Sequence, residues 1–299
     1  MNSTVPAQTC KLTGFSRRII SAPAKYFDKN RNQNEQYSTN KSIGFVATMG
    51  ALHKAHISLV DISNKENDLT VCSIFVNPKQ FNKKEDLEKY PRKTEADLEK
   101  LKAAACDIVF IPSVEEMYPK KNEKQFDFGT LSEVMEAEHR PGHFNGVGIV
   151  IERFFEILNP THSYFGEKDY QQLAVIKALA KQINSPVKIV GCPIFREENG
   201  LAMSSRNERL TVAEKEQASI INATLKYVCA NKNKSVLELR THFLSEMKKY
   251  TNFESEYFEI ADETTLKPIK EWGGAEKYIA FTAVNVSGVR LIDNMTIIN

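Results

Sequence analysis

The chain has 299 residues, about two domains at roughly 150 residues each, and its 41% hydrophobic and 26% charged residues are those of a globular protein. No apolar run approaches the ~18 residues that a membrane helix needs, which excludes a membrane protein. Forty Lys and Arg against 38 Asp and Glu leave a formal charge of +2 with no dense basic block, so no nucleic-acid footprint is visible and a small-molecule partner is the default.

The first elements are atypical. The leading residues up to Phe27 carry Lys11, Arg17, Arg18 and Lys25 with several Ser and Thr, and the first acidic residue is Asp28. There is no apolar core of a secretion signal, so residues 1–42 read as a poorly ordered leading arm, in which Ile19–Ile20 and a sparse Tyr26–Phe27 are the candidates for regular structure. Regular structure begins at the apolar run Ile43–Thr48, a strand, which leads through Met49–Gly50 into a helix from His53 to about Asn64. Leu69–Val76 is the next strand, rich in β-branched residues; Thr94–Ala105 is an amphipathic helix with Leu98 and Leu101 on one face. Asp107–Ile111 is a strand that Pro112 ends.

Val147–Leu158 reads as a strongly apolar helix, Ser163–Phe165 as a strand, Tyr170–Ile183 as a helix and Val187–Val190 as a strand. This alternation predicts an α/β fold, a doubly wound parallel sheet over residues 43–195, with ligands at the carboxyl ends of strands where strand order reverses. After about Phe195 the rhythm changes. Two helices, Thr211–Ala230 and Ser235–Tyr250, precede strands at Tyr257–Ala261, Tyr278–Val286 and Arg290–Ile292, which predicts a smaller α+β domain over 196–299. The cysteines at 10, 72, 106, 192 and 229 form no C-x-x-C pair and read as core thiols of a reducing compartment.

Four stretches that follow predicted strands carry the candidate chemistry. His53 and His56 lie three residues apart on the first turn of a helix, where free N–H groups and partial positive charge favour phosphate. The competing account, His53 as a cap and His56 as a satisfied core residue, is equally compatible with the spacing. Asn77–Phe81, Gly166–Gln172 and Met203–Asn207 bring Lys168, Ser204, Ser205 and Arg206 toward one crevice, a donor set suited to polyphosphate. Gln80 and Gln172 add neutral amides suited to a hydroxylated acid. His139 and His143 are separated by Pro141–Gly142 and do not have the spacing of a helical metal pair.

The strings GFVATMGALHKAHISLV (44–60), SIFVNPKQF (73–81), RPGHFNGV (140–147), YFGEKDYQQLAVIK (164–177) and GLAMSSRNERL (200–210) resemble, in order, the motifs of the pantoate–β-alanine ligases, a family of the nucleotidylyltransferase superfamily with a His-x-Gly-His signature. The resemblance runs from about Ile43 to Asn294. It implies a Rossmann-like domain and a small C-terminal domain, a cytoplasmic homodimer, and ATP-dependent condensation of pantoate with β-alanine through a pantoyl adenylate, with Mg2+ accompanying ATP. By the same resemblance His56 is the acid, with His53, Lys168, Ser204, Ser205 and Arg206 in catalytic roles. ATP falls to Met49, Gly50, Ala51, Leu52, His53, Lys54, Ala55 and His56, to Gly166, Glu167, Lys168 and Asp169, and to Phe195, Met203, Ser204, Ser205 and Arg206. Pantoate falls to Gln80, Gln172 and Asn77. No residue is assigned as a ligand of a resident metal.

The sequence departs from that pattern in three places. Ala47 stands where the family has proline, and Ala55 where it has glycine between the histidines; a methyl at 55 either crowds the nucleotide or merely favours the helix. The third departure is the leading arm, where the family's first strand and helix are hard to find; a missing strand would uncover a sheet edge. Three other readings compete. One is a nucleotidylyltransferase with a phosphate acceptor, against which the neutral Gln80 and Gln172 argue. The second is a degenerate nucleotide-binding protein, and the third a zinc site at His53/His56, for which the Lys, Arg and Ser company is wrong.

Overall fold

A computed structural model describes residues 18–20, 41–81, 84–88, 90–120 and 124–298. Six parallel strands form the first sheet: β1 (Arg18–Ile20), β2 (Ile43–Thr48), β3 (Leu69–Ile74), β4 (Ile108–Phe110), β5 (His162–Gly166) and β6 (Lys188–Cys192), in the order β1-β4-β3-β2-β5-β6. β2 pairs in register with β3 from Ile43↔Leu69 to Thr48↔Ile74, and on its other side with β5. The chain winds outward from β2 to β4, then crosses over and winds the other way through β5 and β6. The strand order therefore reverses between β2 and β5, and the crevice lies beyond their carboxyl ends.

The sheet is buried on both faces, which explains why its strands are almost uniformly apolar. Phe45, Val71 and Phe110 point to one face, against α3 (His143–Leu158) and α4 (Tyr170–Gln182). Val46, Cys72, Val109 and Tyr164 point to the other, against Leu59 and Val60 of α1 (Lys54–Glu66) and Leu101 of α2 (Thr94–Ala103). Cys72, Cys106 and Cys192 are buried and Cys229 is half-buried, none of them in a disulfide among the described residues, and Cys10 lies outside the described residues.

The leading arm needs a correction. Arg18–Ile20 is a strand after all, paired with β4 from Arg18↔Ile108 to Ile20↔Phe110, so β4 is not an open edge. The other arm residues, except 41–42, lie outside the described residues. Two boundaries also move. β3 stops at Ile74, where the Phe75 N–H bonds the Thr48 carbonyl and Asn77–Pro78 begin a tight turn. α3 starts at His143, ahead of the expected Val147, because Gly142 at φ +79° turns the chain directly into the helix.

The second unit places α5 (Val212–Ala230) and α6 (Val236–Met247) against an antiparallel sheet of β7 (Phe253–Asp262), β8 (Lys277–Val286) and β9 (Val289–Ile298), with β8 central. Both helices open with a capping box, Thr211 with Glu214 and Ser235 with Glu238. β7 and β9 are longer than their periodicity predicts. In β9 two polar residues, Asp293 and Asn294, are buried, which breaks the apolar alternation without breaking the strand.

Candidate active site

The site starts from the turn after β2. The Thr48 hydroxyl donates to the Ser73 carbonyl at 2.6 Å and accepts the Gly50 N–H at 3.2 Å, tying the turn to β3. Gly50 has φ +83°, and a Cβ there would stand 3.1 Å from Asp97 Oδ2 and 3.2 Å from Ile74 Cγ2, so a side chain would be both strained and tightly packed. Asp97, buried on α2, accepts the N–H groups of Ala51 and Leu52 at 2.8 Å each, while Lys100 Nζ donates to the Leu52 carbonyl. The loop before the histidines is thus clamped by a helix that the sequence motifs do not include. Ala51 and Leu52 turn their side chains into the core and Lys54 faces solvent, so this part of the stretch offers the crevice backbone.

His53 occupies the N-cap of α1 and His56 its third residue. Their rings lie 4.1 Å apart between centroids, and the His53 N–H donates to His56 Nδ1 at 3.3 Å. An Nδ1 that accepts is unprotonated, which leaves the neutral ring's proton on Nε2. Burial pushes His53 down to about 4, aided by the Lys168 charge; burial, His53, Lys168 and Lys100 push His56 down to about 3. Both rings are neutral at pH 7 and each carries one N–H, so in the ligand-free protein His56 is a hydrogen-bond donor and not a ready acid. His53 Nδ1 is buried without a partner among the described residues. Ala55 sits between them with ordinary helical backbone, and Ala47 lies inside β2 opposite Ser73.

The Gly166–Asp169 turn leaves β5 beside this helix start. Asn294 of β9 donates through Nδ2 to the carbonyls of Glu167 and Lys168 at 2.8 and 2.9 Å, so the second unit shapes the turn. Lys168 Nζ stands 3.9 Å from Asp169. Next to Asn294, Asp293 is buried and takes two hydrogen bonds from Arg196, at 2.7 and 2.9 Å. Phe195 and Met203 face each other across a short hairpin, the Met203 N–H bonding the Phe195 carbonyl. Ser204 then caps the turn Ser205–Arg209, accepting the Arg206 N–H at 3.3 Å, and the Arg206 side chain is exposed.

Lys168, Ile292 and Asp293 line two lobes of one cleft. Ser204, Arg206 and Leu291 line the first, and Arg140, His143, Phe144 and Gln172 the second. Gln80 stands by the second lobe: its carbonyl accepts from His143 Nδ1 at 3.0 Å, and its Nε2 reaches Met49 Sδ at 3.1 Å. Asn77 lies buried beneath Gln80, its Nδ2 on Gln80 Oε1 and the Gly146 carbonyl, its Oδ1 accepting from Lys79 N–H and the Tyr118 hydroxyl. It shapes the turn and has no free edge for a ligand. Sequence reasoning missed Asp97, Lys100, Arg140, His143 and Asn294. Arg140 and His143 stood within the RPGHFNGV string without being assigned a role, and Asp97 carried a local signal as an acid one helical turn before the buried Leu101, on the apolar face of α2. His139 and His143 go to different partners, His139 Nδ1 to Glu256 at 2.9 Å, as their interrupted spacing predicts.

A doubly wound sheet whose switch-point crevice holds two neutral histidines at a helix start, a lysine and a serine-arginine turn defines an α/β enzyme of the nucleotidylyltransferase type. The chain belongs to the pantoate–β-alanine ligase family, whose profile matches residues 20–296. It is 50% identical over 262 residues to pantothenate synthetase of Flavobacterium psychrophilum, covering 86% of this chain and 92% of that one, and 48% identical to the enzyme of Phocaeicola vulgatus with the same coverage. Among solved structures, pantothenate synthetase from Thermus thermophilus superposes with TM-score 0.85 at 36% identity, over 94% of this chain and all of that one. Pantoate–β-alanine ligase from Francisella tularensis, complexed with β,γ-ATP and β-alanine, superposes with TM-score 0.76 at 33% identity, over 94% and 97%.

Proposed function

We propose that this cleft joins pantoate to β-alanine at the expense of ATP, with the polyphosphate in the lobe of Ser204 and Arg206 and the acid in the lobe of Gln172. The observation that carries the reading is Lys168, which lines both lobes and whose charge bears on both histidines. A pantoate carboxylate oxygen attacks the α-phosphorus, and the bond to pyrophosphate breaks. The β-alanine nitrogen then attacks the acyl carbon, the bond to AMP breaks, and the nitrogen gives up a proton.

Charge moves onto the leaving pyrophosphate in the first step, and Lys168, Arg206, the Ser204 and Ser205 hydroxyls and the histidine N–H groups are its counterweight. The neutral state of His53 and His56 belongs to the free cleft, where Lys168 and Lys100 repel a further proton. A bound polyphosphate cancels that field and raises both rings, so His56 becomes an acid only once ATP is in place. Gln80, fixed by Met49, Asn77 and His143, and Gln172 opposite it hold the pantoate hydroxyls, and Asn77 acts by positioning Gln80.

Among the described residues no three His, Cys, Asp or Glu side chains converge as metal ligands. The cleft's donors are N–H and O–H groups that suit phosphate oxygens, so Mg2+ fits here on the nucleotide, keeping its waters, and supplies charge neutralisation on the pyrophosphate. The boundary between units near residue 195 puts Met203–Arg206 on the second unit, so closure of 196–299 onto 43–195 completes the site. The family resemblance supports a homodimer, and the cysteines, unbridged among the described residues, support a reducing, cytoplasmic location. The test is exchange of labelled pyrophosphate into ATP. Exchange that requires pantoate but not β-alanine, followed by pantothenate formation when β-alanine is added, is expected; exchange without pantoate sinks the reading.

A further inference from the structure

Arg140 has no role in the reading above, yet it lines the same lobe as Gln172 and His143. It stands just before Pro141–Gly142, where the chain turns into α3, so the first turn of that helix and its partial positive charge face the same lobe. The carboxylate whose charge bears most on it is already committed. Glu136 receives Arg290 Nη1 and Nη2 at 2.9 and 2.7 Å and the Tyr257 hydroxyl at 2.9 Å. Among the described residues the Arg140 guanidinium makes no hydrogen bond or ion pair of its own. It is half-buried, and burial pushes it below its ordinary value, with Arg206 and Arg290 acting in the same direction against Glu136 and Asp169. A guanidinium that lines a cleft without a protein partner can bind a carboxylate through two parallel N–H bonds.

Resting on the proposed reaction, we infer that Arg140 binds the carboxylate of β-alanine and selects an amino acid over a neutral amine. The sorting of the cleft decides among its anions. The phosphates have Ser204 and Arg206 in the other lobe. The pantoate carboxylate must lie at the α-phosphorus, by Lys168 and the histidines, and once adenylated it is an uncharged acyl group in a mixed anhydride whose remaining charge sits on the phosphate. In the second step β-alanine carries the one free carboxylate among the reactants, two methylenes from the attacking nitrogen, and Arg140 offers a planar two-donor face on the acid side of Lys168.

The experiment compares wild type, R140Q and R140K in two assays. With R140Q the KM for β-alanine is expected to rise tenfold or more, while pantoate-dependent pyrophosphate exchange stays within about twofold and R140K recovers part of the loss. The preference for β-alanine over β-alaninamide is expected to collapse in R140Q, an effect that a merely structural role does not produce. An unchanged β-alanine KM overturns the assignment, as does a raised pantoate KM with lost exchange, which gives Arg140 to the first step. If R140Q does not fold, the same two constants in R140K decide. Absence of exchange in the wild type sinks the proposed reaction itself and is distinguishable from either result.

Discussion

His53 and His56 are held by unlike forces: His53 by its place at the helix cap, His56 by a backbone N–H at its Nδ1. In the proposed reaction Ala55 between them faces the nucleotide. Its helical backbone needs no glycine, so A55G is expected to destabilise the protein by up to about 1 kcal/mol, seen as a lower Tm. The same change removes a methyl from the face that ATP approaches, and the KM for ATP is expected to fall several-fold; an unchanged or higher KM shows that the methyl is harmless. His53, His56, Lys168, Gln80 and Arg206 were all legible in the sequence, because short strings of unusual polar residues follow strands. Asp97 and Asn294 were not. Each acts through a backbone group far away in sequence, Asp97 on Ala51 and Leu52, Asn294 on Glu167 and Lys168, and such partners leave no spacing pattern.

At the scale of elements, the proposed pantoate lobe depends on how closely α3 approaches the Pro78–Gln80 turn. Gly146 faces that turn, and a Cβ there would collide with the Lys79 carbonyl and come within 2.9 Å of the Gln80 N–H nitrogen. The Gly146 carbonyl in turn accepts from Asn77. G146A is therefore expected to cost about 1–3 kcal/mol by overpacking and, by displacing Gln80, to raise the KM for pantoate well above any change in the KM for ATP. Equal changes in both constants count against this contact as the determinant of the pantoate lobe. Helix periodicity located α3 but placed its start at Val147, since His143, Asn145 and Gly146 surround Phe144 and interrupt the apolar run. Phe144 in the core and the contact of Gly146 with the turn together hold that first helical turn in place.

The whole molecule is joined through the site. Arg290 of β9 binds Glu136 and Glu256, and Met135 packs with Ala261, Leu266, Ile279 and Phe281 at the junction of the two units. Burying neutral histidines in this assembly couples stability to acid. His53, His56 and His143 sit at about 4, 3 and 4 in the folded chain against an ordinary 6.5, each lowered first by burial. Below pH 6.5 the unfolded chain takes up protons that the native chain refuses, so their contribution is complete above that pH and is lost as pH falls toward the folded values. Burial raises the Asp293 and Glu259 carboxyls, which act in the opposite sense, starting from ordinary values of 3.8 and 4.5 at the acid end of the histidine window. The Tm of the ligand-free protein is expected to fall between pH 7 and pH 5. H143N, whose amide keeps the donor to Gln80, is expected to remove about a third of the slope. A flat profile overturns this account. The sequence by itself determined the alternation of strands and helices, the family and the polar strings after each strand, because periodicity and motif are local properties of a chain. The tertiary structure decided that Arg18–Ile20 completes the sheet, that Asn77 is a support, that the histidines start neutral and that Arg140 stands unpaired among the described residues. Each of these is set by burial and by partners that lie far apart in the sequence.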